Sequence, residues 1–79
     1  VLFLKEVLRT IVKHIVDNPE EILINQKEEG QSTILELKVA ADDMGKVIGK
    51  GGRVAKAIRT VIGAAATKTD KHVSVKIVD

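Results

Sequence analysis

The residues whose types and spacing could do chemistry lie in one short segment. Between Lys46 and Arg59 stand Lys46, Lys50, Arg53, Lys56 and Arg59, with no acidic residue among them. The whole chain has 13 basic and 11 acidic residues and a net charge of +2, so eight bases face eleven acids elsewhere. The molecule is therefore mildly acidic apart from one concentrated basic stretch. Such a stretch either is a solvated helix face or serves a polyanion, which it suits better than a general membrane surface. Inside it runs Gly49-Lys50-Gly51-Gly52. Glycines at both ends let the chain reverse without steric cost and let another backbone approach closely. A helix is expected to start at Gly52 or Arg53. Its first amides lack partners within the helix and lie at the positive end of its dipole, which suits an anion, above all a phosphate.

Two nucleotide motifs fail here. A Walker A loop needs four residues between its glycines and a Ser or Thr after the lysine. Gly45 and Gly49 are separated by three residues, and Gly51 follows Lys50. A dinucleotide fingerprint needs a third glycine at position 54, which is Val, and a strand directly before the loop. Catalytic constellations are also missing. There is no cysteine and there are two histidines, His14 and His72, so thiol chemistry is excluded and a zinc site is not expected. Glu20-Glu21, Glu28-Glu29 and Asp42-Asp43 read as caps and turns rather than as carboxylates set across a cleft. No enzyme activity, metal or cofactor is expected.

The elements that must position the loop follow from periodicity. Leu4, Val7, Leu8, Ile11, Val12 and Ile15 make an apolar stripe at helical spacing over residues 2–17, with Lys5, Arg9 and Lys13 on the far side. Asp17-Asn18-Pro19 closes this helix, because the residue before proline avoids helical geometry. A strand starts at Ile22 to Ile24 and runs toward Lys27, and residues 28–31 read as a turn with Gly30 at positive φ. Leu35, Leu37 and Val39 alternate with Glu36 and Lys38 in a second strand over residues 33–39. Asp42 or Asp43 is positioned to cap a short helix reaching Ile48, which Gly45 weakens and the glycine loop ends. A longer helix over 53–68 puts Val54, Ile58, Val61, Ile62 and Ala65 toward the core, with Arg53, Lys56 and Arg59 opposite. Asp70-Lys71 turns the chain into a last strand carrying Val73, Val75 and Ile77. The order α-β-β-α-α-β predicts one two-layer α+β domain over 1–79, three strands covered on one face by helices.

At 79 residues, with 44% hydrophobic and 30% charged residues, the chain fits one globular domain. Its longest apolar run, Val61 to Ala66, is far short of the roughly 20 residues that a spanning helix needs. The apolar start meets Lys5 and Glu6 too soon for a signal peptide, and the absent initial Met points to processing or trimming. A cytoplasmic location is expected.

The run Val47-Ile48-Gly49-Lys50-Gly51-Gly52-Arg53-Val54-Ala55-Lys56-Ala57-Ile58-Arg59 resembles the signature of the KH domain, and the helix-first order resembles its prokaryotic, type II form. Ile15-Val16-Asp17-Asn18-Pro19-Glu20, the stretch Ala41 to Lys50 and the ending Val73 to Asp79 extend the likeness, over essentially the whole chain, to the KhpA family of small stand-alone bacterial KH proteins. One departure is Gly51, where that family often carries a polar residue such as Gln; a smaller residue makes the loop floppier.

The resemblance implies a single-stranded RNA-binding protein, an RNA chaperone or post-transcriptional regulator. About four nucleotides would run between the loop and the adjoining sheet edge. Gly49, Lys50, Gly51 and Gly52 would meet phosphates, with Arg53, Lys56 and Lys46 adding charge. Val47 and Ile48 read as core residues, as an apolar floor for bases, or as both, with the second strand as the opposite wall. The family likeness also implies a homodimer, and a heterodimer with a larger KhpB (Jag-like) KH protein. The alternative is a KH fold used to dimerise or scaffold, with little RNA binding of its own; Phe3 and His14 beside the first helix's stripe would mark such a surface. Phe3 is the only aromatic residue, so stacking of bases on rings is nearly unavailable and one copy is expected to bind weakly and with little sequence selectivity.

Overall fold

A computed structural model describes residues 2–69 and 71–78; Asp70, expected in a turn, lies outside the described residues, as do Val1 and Asp79. The elements are α1 (Leu2–Lys13), β1 (Leu23–Glu29), β2 (Ser32–Lys38), α2 (Met44–Ile48), α3 (Arg53–Ala66) and β3 (His72–Val78), with single 3₁₀ turns at Pro19–Glu21, Ala41–Asp43 and Lys50–Gly52. This is the expected α-β-β-α-α-β order.

The apolar stripe of α1 explains its packing. Leu4, Leu8 and Val12 are fully covered, and Val7, Ile11 and Ile15 pack against the same core. The helix ends four residues earlier than its periodicity suggests. The His14 and Ile15 amides bond to Ile11 O and Val12 O three residues back, so the last turn tightens. The amides of Asp17 and Asn18 then leave the helix for a side chain distant in sequence.

β1 and β2 form an antiparallel hairpin. Glu29 pairs with Ser32 across a two-residue turn in which Gly30 takes φ 62°. The strand pairing therefore extends two residues beyond the expected end at Lys27. β2 also pairs in parallel with β3, in register from Ser32↔His72 to Lys38↔Val78. The sheet order is β1-β2-β3, so β2 is central and β1 and β3 are the edges. A parallel neighbour requires a long crossover connection, and here α2, the glycine loop and α3 supply it.

The inner sheet face carries Ile24, Leu35, Leu37, Val73 and Val75, all buried. Against it pack α1 and the Ala55, Ile58, Ile62 and Ala66 face of α3. Each large side chain buried here contributes about 1.5–3 kcal/mol. The α3 face is turned by about one residue from the expected stripe, and Val61, expected in the core, is 47% exposed. Far from the glycine loop in sequence, Lys71 forms an ion pair with Glu28, tying the start of β3 to the hairpin. The Lys71 and Gln26 hydrogen bonds hold the Glu28 carboxyl below its ordinary value.

Candidate nucleic-acid interface

The loop is built by three glycines in conformations that other residues resist. Gly49 ends α2 at φ 75°, ψ 170°, its amide donating to Gly45 O at 2.9 Å. Gly51 (φ 65°, ψ 19°) and Gly52 (φ 80°, ψ 12°) are both left-handed. The Gly52 amide returns to Gly49 O at 3.1 Å and the Arg53 amide to Lys50 O, closing one tight turn that feeds directly into α3. Gly49 has a second constraint. A Cβ placed on it would lie 2.4 Å from Val54 Cγ2 and 2.8 Å from the Val54 backbone nitrogen. Gly51 and Gly52 have open space around them, so only their backbone angles ask for glycine.

The 14-residue helix α3 begins with no acidic residue in its first turn and no side-chain cap. Its positive end is thus left to whatever approaches it. Lys50, Arg53 and Lys56 are exposed around this end, and Gly51 is exposed at the loop tip. These residues, with Gly49 and Gly52, make up the turn and the first helical turn that follows it.

Two expected contacts separate. Val47 is fully buried beneath the loop and presents no surface, because its side chain belongs to the core. Ile48, the next residue, is 39% exposed and is the apolar side chain that the surface offers here. The second strand does not supply an opposite wall with a free edge, because β2 is central. The open edge after the crossover belongs to β3, and on it Arg59 Nε donates to Val75 O at 3.3 Å.

Lys46 is engaged within the molecule. Its ammonium pairs with the Asp17 carboxylate and lies 3.7 Å from Asp43 Oδ1. The hydrogen bond to Asp17 raises its pKa against the opposing effect of desolvation. Asp43 stands at the N-cap position of α2, as expected, but its side chain makes no capping bond there. It is fully buried, and its carboxylate accepts the amides of Asp17 (3.1 Å) and Asn18 (3.0 Å) and the Asn18 side-chain amide (3.1 Å). Burial pushes the Asp43 carboxyl up, but these three bonds and the Lys46 charge outweigh it and hold the group below its ordinary value. The cluster ties the end of α1 to the start of α2, and through α2 to the loop. Its role is invisible to sequence reasoning, because Asp43 reads locally as a cap and its partners stand 25 and 26 residues away. Arg59 was legible as a cation but not as a partner of the β3 edge. Among the described residues no group of three or more His, Cys, Asp or Glu side chains is placed to hold a metal ion.

A three-stranded mixed sheet, helices on one face and a Gly-x-x-Gly turn entering a helix define a KH domain of the type II topology. The chain belongs to the KhpA/KhpB KH-domain family, whose model matches residues 5–77. It is 59% identical over 75 residues to the RNA-binding protein KhpA of Clostridium acetobutylicum, covering 95% of this chain and 100% of that one. It is 55% identical to the RNA-binding protein KhpA of Clostridium perfringens over 75 residues, again with 95% and 100% coverage. To the protein of the same name from Borreliella burgdorferi it is 49% identical over 74 residues, covering 94% and 90%.

Proposed function

We propose that this chain is a non-catalytic, single-stranded RNA-binding protein acting as an RNA chaperone or post-transcriptional regulator in the cytoplasm. The observation that carries this reading is the turn Gly49–Gly52, set by three positive-φ glycines and opening into the acid-free, uncapped start of α3. The amides of Gly49 and Gly52 are bonded within the chain, so those of Lys50 and Gly51 are the ones that meet phosphates of about four nucleotides, as in KH domains generally. Lys50, Arg53 and Lys56 add screened attraction. Ile48 is the apolar seat for a base, and the β3 edge with Arg59 forms the far wall. Val47 and Lys46 act from beneath and beside the loop, one by packing and one through Asp17. The names of the relatives, each an RNA-binding protein, support the same reading.

Homodimer formation, and pairing with a larger KhpB-type protein, are part of the proposal. Exposed apolar side chains stand in two places that serve it: Val61 on α3, and Leu2 and Phe3 on α1. These residues also favour the second reading, a dimerisation module with little RNA binding of its own.

Fluorescence anisotropy with labelled mixed-sequence single-stranded RNA separates the readings. The wild type is expected to bind, and its affinity to fall with a log–log salt slope of about −0.7 per phosphate neutralised. The Lys50→Asp/Gly51→Asp double variant, shown folded by circular dichroism, is expected not to bind. Equal binding by both proteins removes the loop from the site. No binding by a folded, dimeric wild type puts the interaction module first; Val61→Glu and Phe3→Glu then show which surface pairs.

A further inference from the structure

Helix α1 carries a second set of cations that the loop does not use. Lys5, Arg9 and Lys13 stand four residues apart, so they line one side of the helix at steps of about 6 Å. Residues 2–13 hold these three bases and one acid, Glu6. Outside α1 and the 46–59 segment stand five bases and ten acids, so positive charge is concentrated in two places. Arg9 and Lys13 are exposed and Lys5 is half-buried. Among the described residues none of the three forms an ion pair; Lys46 and Lys71 are the cations that do. Where α1 meets β1, a hollow of about 250 Å³ opens beside the row, lined by Leu2, Lys5, Glu6, Arg9 and Ile24.

We infer that the Lys5–Arg9–Lys13 row is a second contact for single-stranded RNA, its three charges each taking a phosphate and the hollow beside it taking a base. The inference rests on the RNA-binding reading and goes beyond it by placing a further stretch of RNA on α1, on the β1 side of the sheet, away from the β3 edge. The step of the row is close to the interval between phosphates of an extended strand. The planar guanidinium of Arg9 offers a face to a base in a chain whose one ring is Phe3. Glu6 decides between polyanions. Its carboxylate repels an acidic peptide, but it accepts a hydrogen bond from the exocyclic amino group of a base. A chain with two such contacts holds two stretches of RNA at once, which suits a chaperone that brings strands together.

The test is anisotropy with two labelled single strands, one of about four nucleotides, enough for the turn alone, and one of about twenty. The variant Lys5→Gln/Arg9→Gln/Lys13→Gln is compared with Lys38→Gln/Lys68→Gln/Lys76→Gln, which loses the same charge from exposed positions elsewhere. Glutamine is a good helix former, and circular dichroism checks that both variants fold. The α1 variant is expected to bind the longer strand about a hundredfold more weakly at about 0.1 M salt, with a salt slope shallower by about 2, or about 0.7 for each of three phosphates. The comparison variant is expected to keep the wild-type slope, and the two are expected to bind the short strand alike. A wild-type slope for the α1 variant on the longer strand overturns the inference and leaves the loop reading intact. Equal losses in the two variants also overturn it, since net charge alone then accounts for them. Loss of polyglutamate binding with RNA binding unchanged gives the row to an acidic protein and overturns it too. If Lys50→Asp/Gly51→Asp binds the short strand as the wild type does, the loop reading fails, and the slope on the longer strand still decides for α1. If the wild type binds neither strand, both fail.

Discussion

Replacing Gly49 with alanine should cost far more than replacing either of the other loop glycines. At φ 75°, ψ 170° Gly49 occupies a region that is almost closed to other residues, and holding a non-glycine there costs about 1–3 kcal/mol. The new Cβ would also lie 2.4 Å from Val54 Cγ2 and 2.8 Å from the Val54 backbone nitrogen. A rotamer change relieves the first contact but not the second, so overpacking adds about 1–3 kcal/mol more. The expected loss is about 4 kcal/mol. A chain of 79 residues has roughly 4–12 kcal/mol in all, so that loss is a large share of its stability. With a urea m-value of about 1 kcal/mol/M, the midpoint should fall by roughly 3–4 M. Gly51→Ala and Gly52→Ala meet no neighbour and should each cost only about 1–2 kcal/mol for the left-handed backbone. Far-UV circular dichroism in urea is the assay, since the chain has no Trp or Tyr to report by fluorescence. A Gly49→Ala midpoint equal to that of Gly51→Ala would falsify the claim that crowding against Val54 shapes the loop.

Three further outcomes are expected. Lys46→Met should leave the salt slope of RNA binding unchanged, because its charge is spent on Asp17, whereas Lys50→Met should lower the slope by about 0.7; anisotropy at four salt concentrations separates the two. The lowered carboxyl of Asp43 contributes stability that is fully present above the unfolded value of about 3.9 and is lost as pH falls through its folded value. Urea midpoints measured from pH 6 down to pH 2 should therefore fall below about pH 4, and Asp43→Asn should flatten that part of the curve. Val47→Ala should cost about 2 kcal/mol in urea unfolding by leaving a cavity under the loop, with any loss of RNA affinity following from loop geometry rather than from a lost contact.

The parts of the fold set by local pattern were legible. The α1 stripe, the alternation of Leu35 and Leu37, and the break at Gly49–Gly52 each correspond to an observed element. Element ends were less so, because tertiary bonds decide them: α1 stops at Lys13 while the next amides turn toward Asp43. Val61 was misplaced because a helix with apolar residues at 54, 58, 61, 62 and 65 admits two faces a residue apart, and only packing against the sheet chooses. Strand order is likewise a long-range property: alternation alone does not tell that β2 is central, with β1 and β3 as the edges. Within the site, the glycines and the exposed cations could be read from residue type and spacing. The division of Val47 from Ile48 and the engagement of Lys46 could not, since each depends on a partner elsewhere in the chain.

The Asp43 cluster has a consequence for how the molecule breathes. Asp17 and Asn18 sit in an irregular connection where backbone amides ordinarily trade their protons with water quickly. Here both amides are held by a buried carboxylate on the far side of the chain. Their exchange should be slowed to the pace at which α1 and α2 part, so two connection residues become reporters of a sub-global opening. That same opening frees α2 to shift, and the Gly49–Gly52 turn with it. Proton exchange at positions 17 and 18 thus times the loosening of a loop that begins more than thirty residues further along the chain.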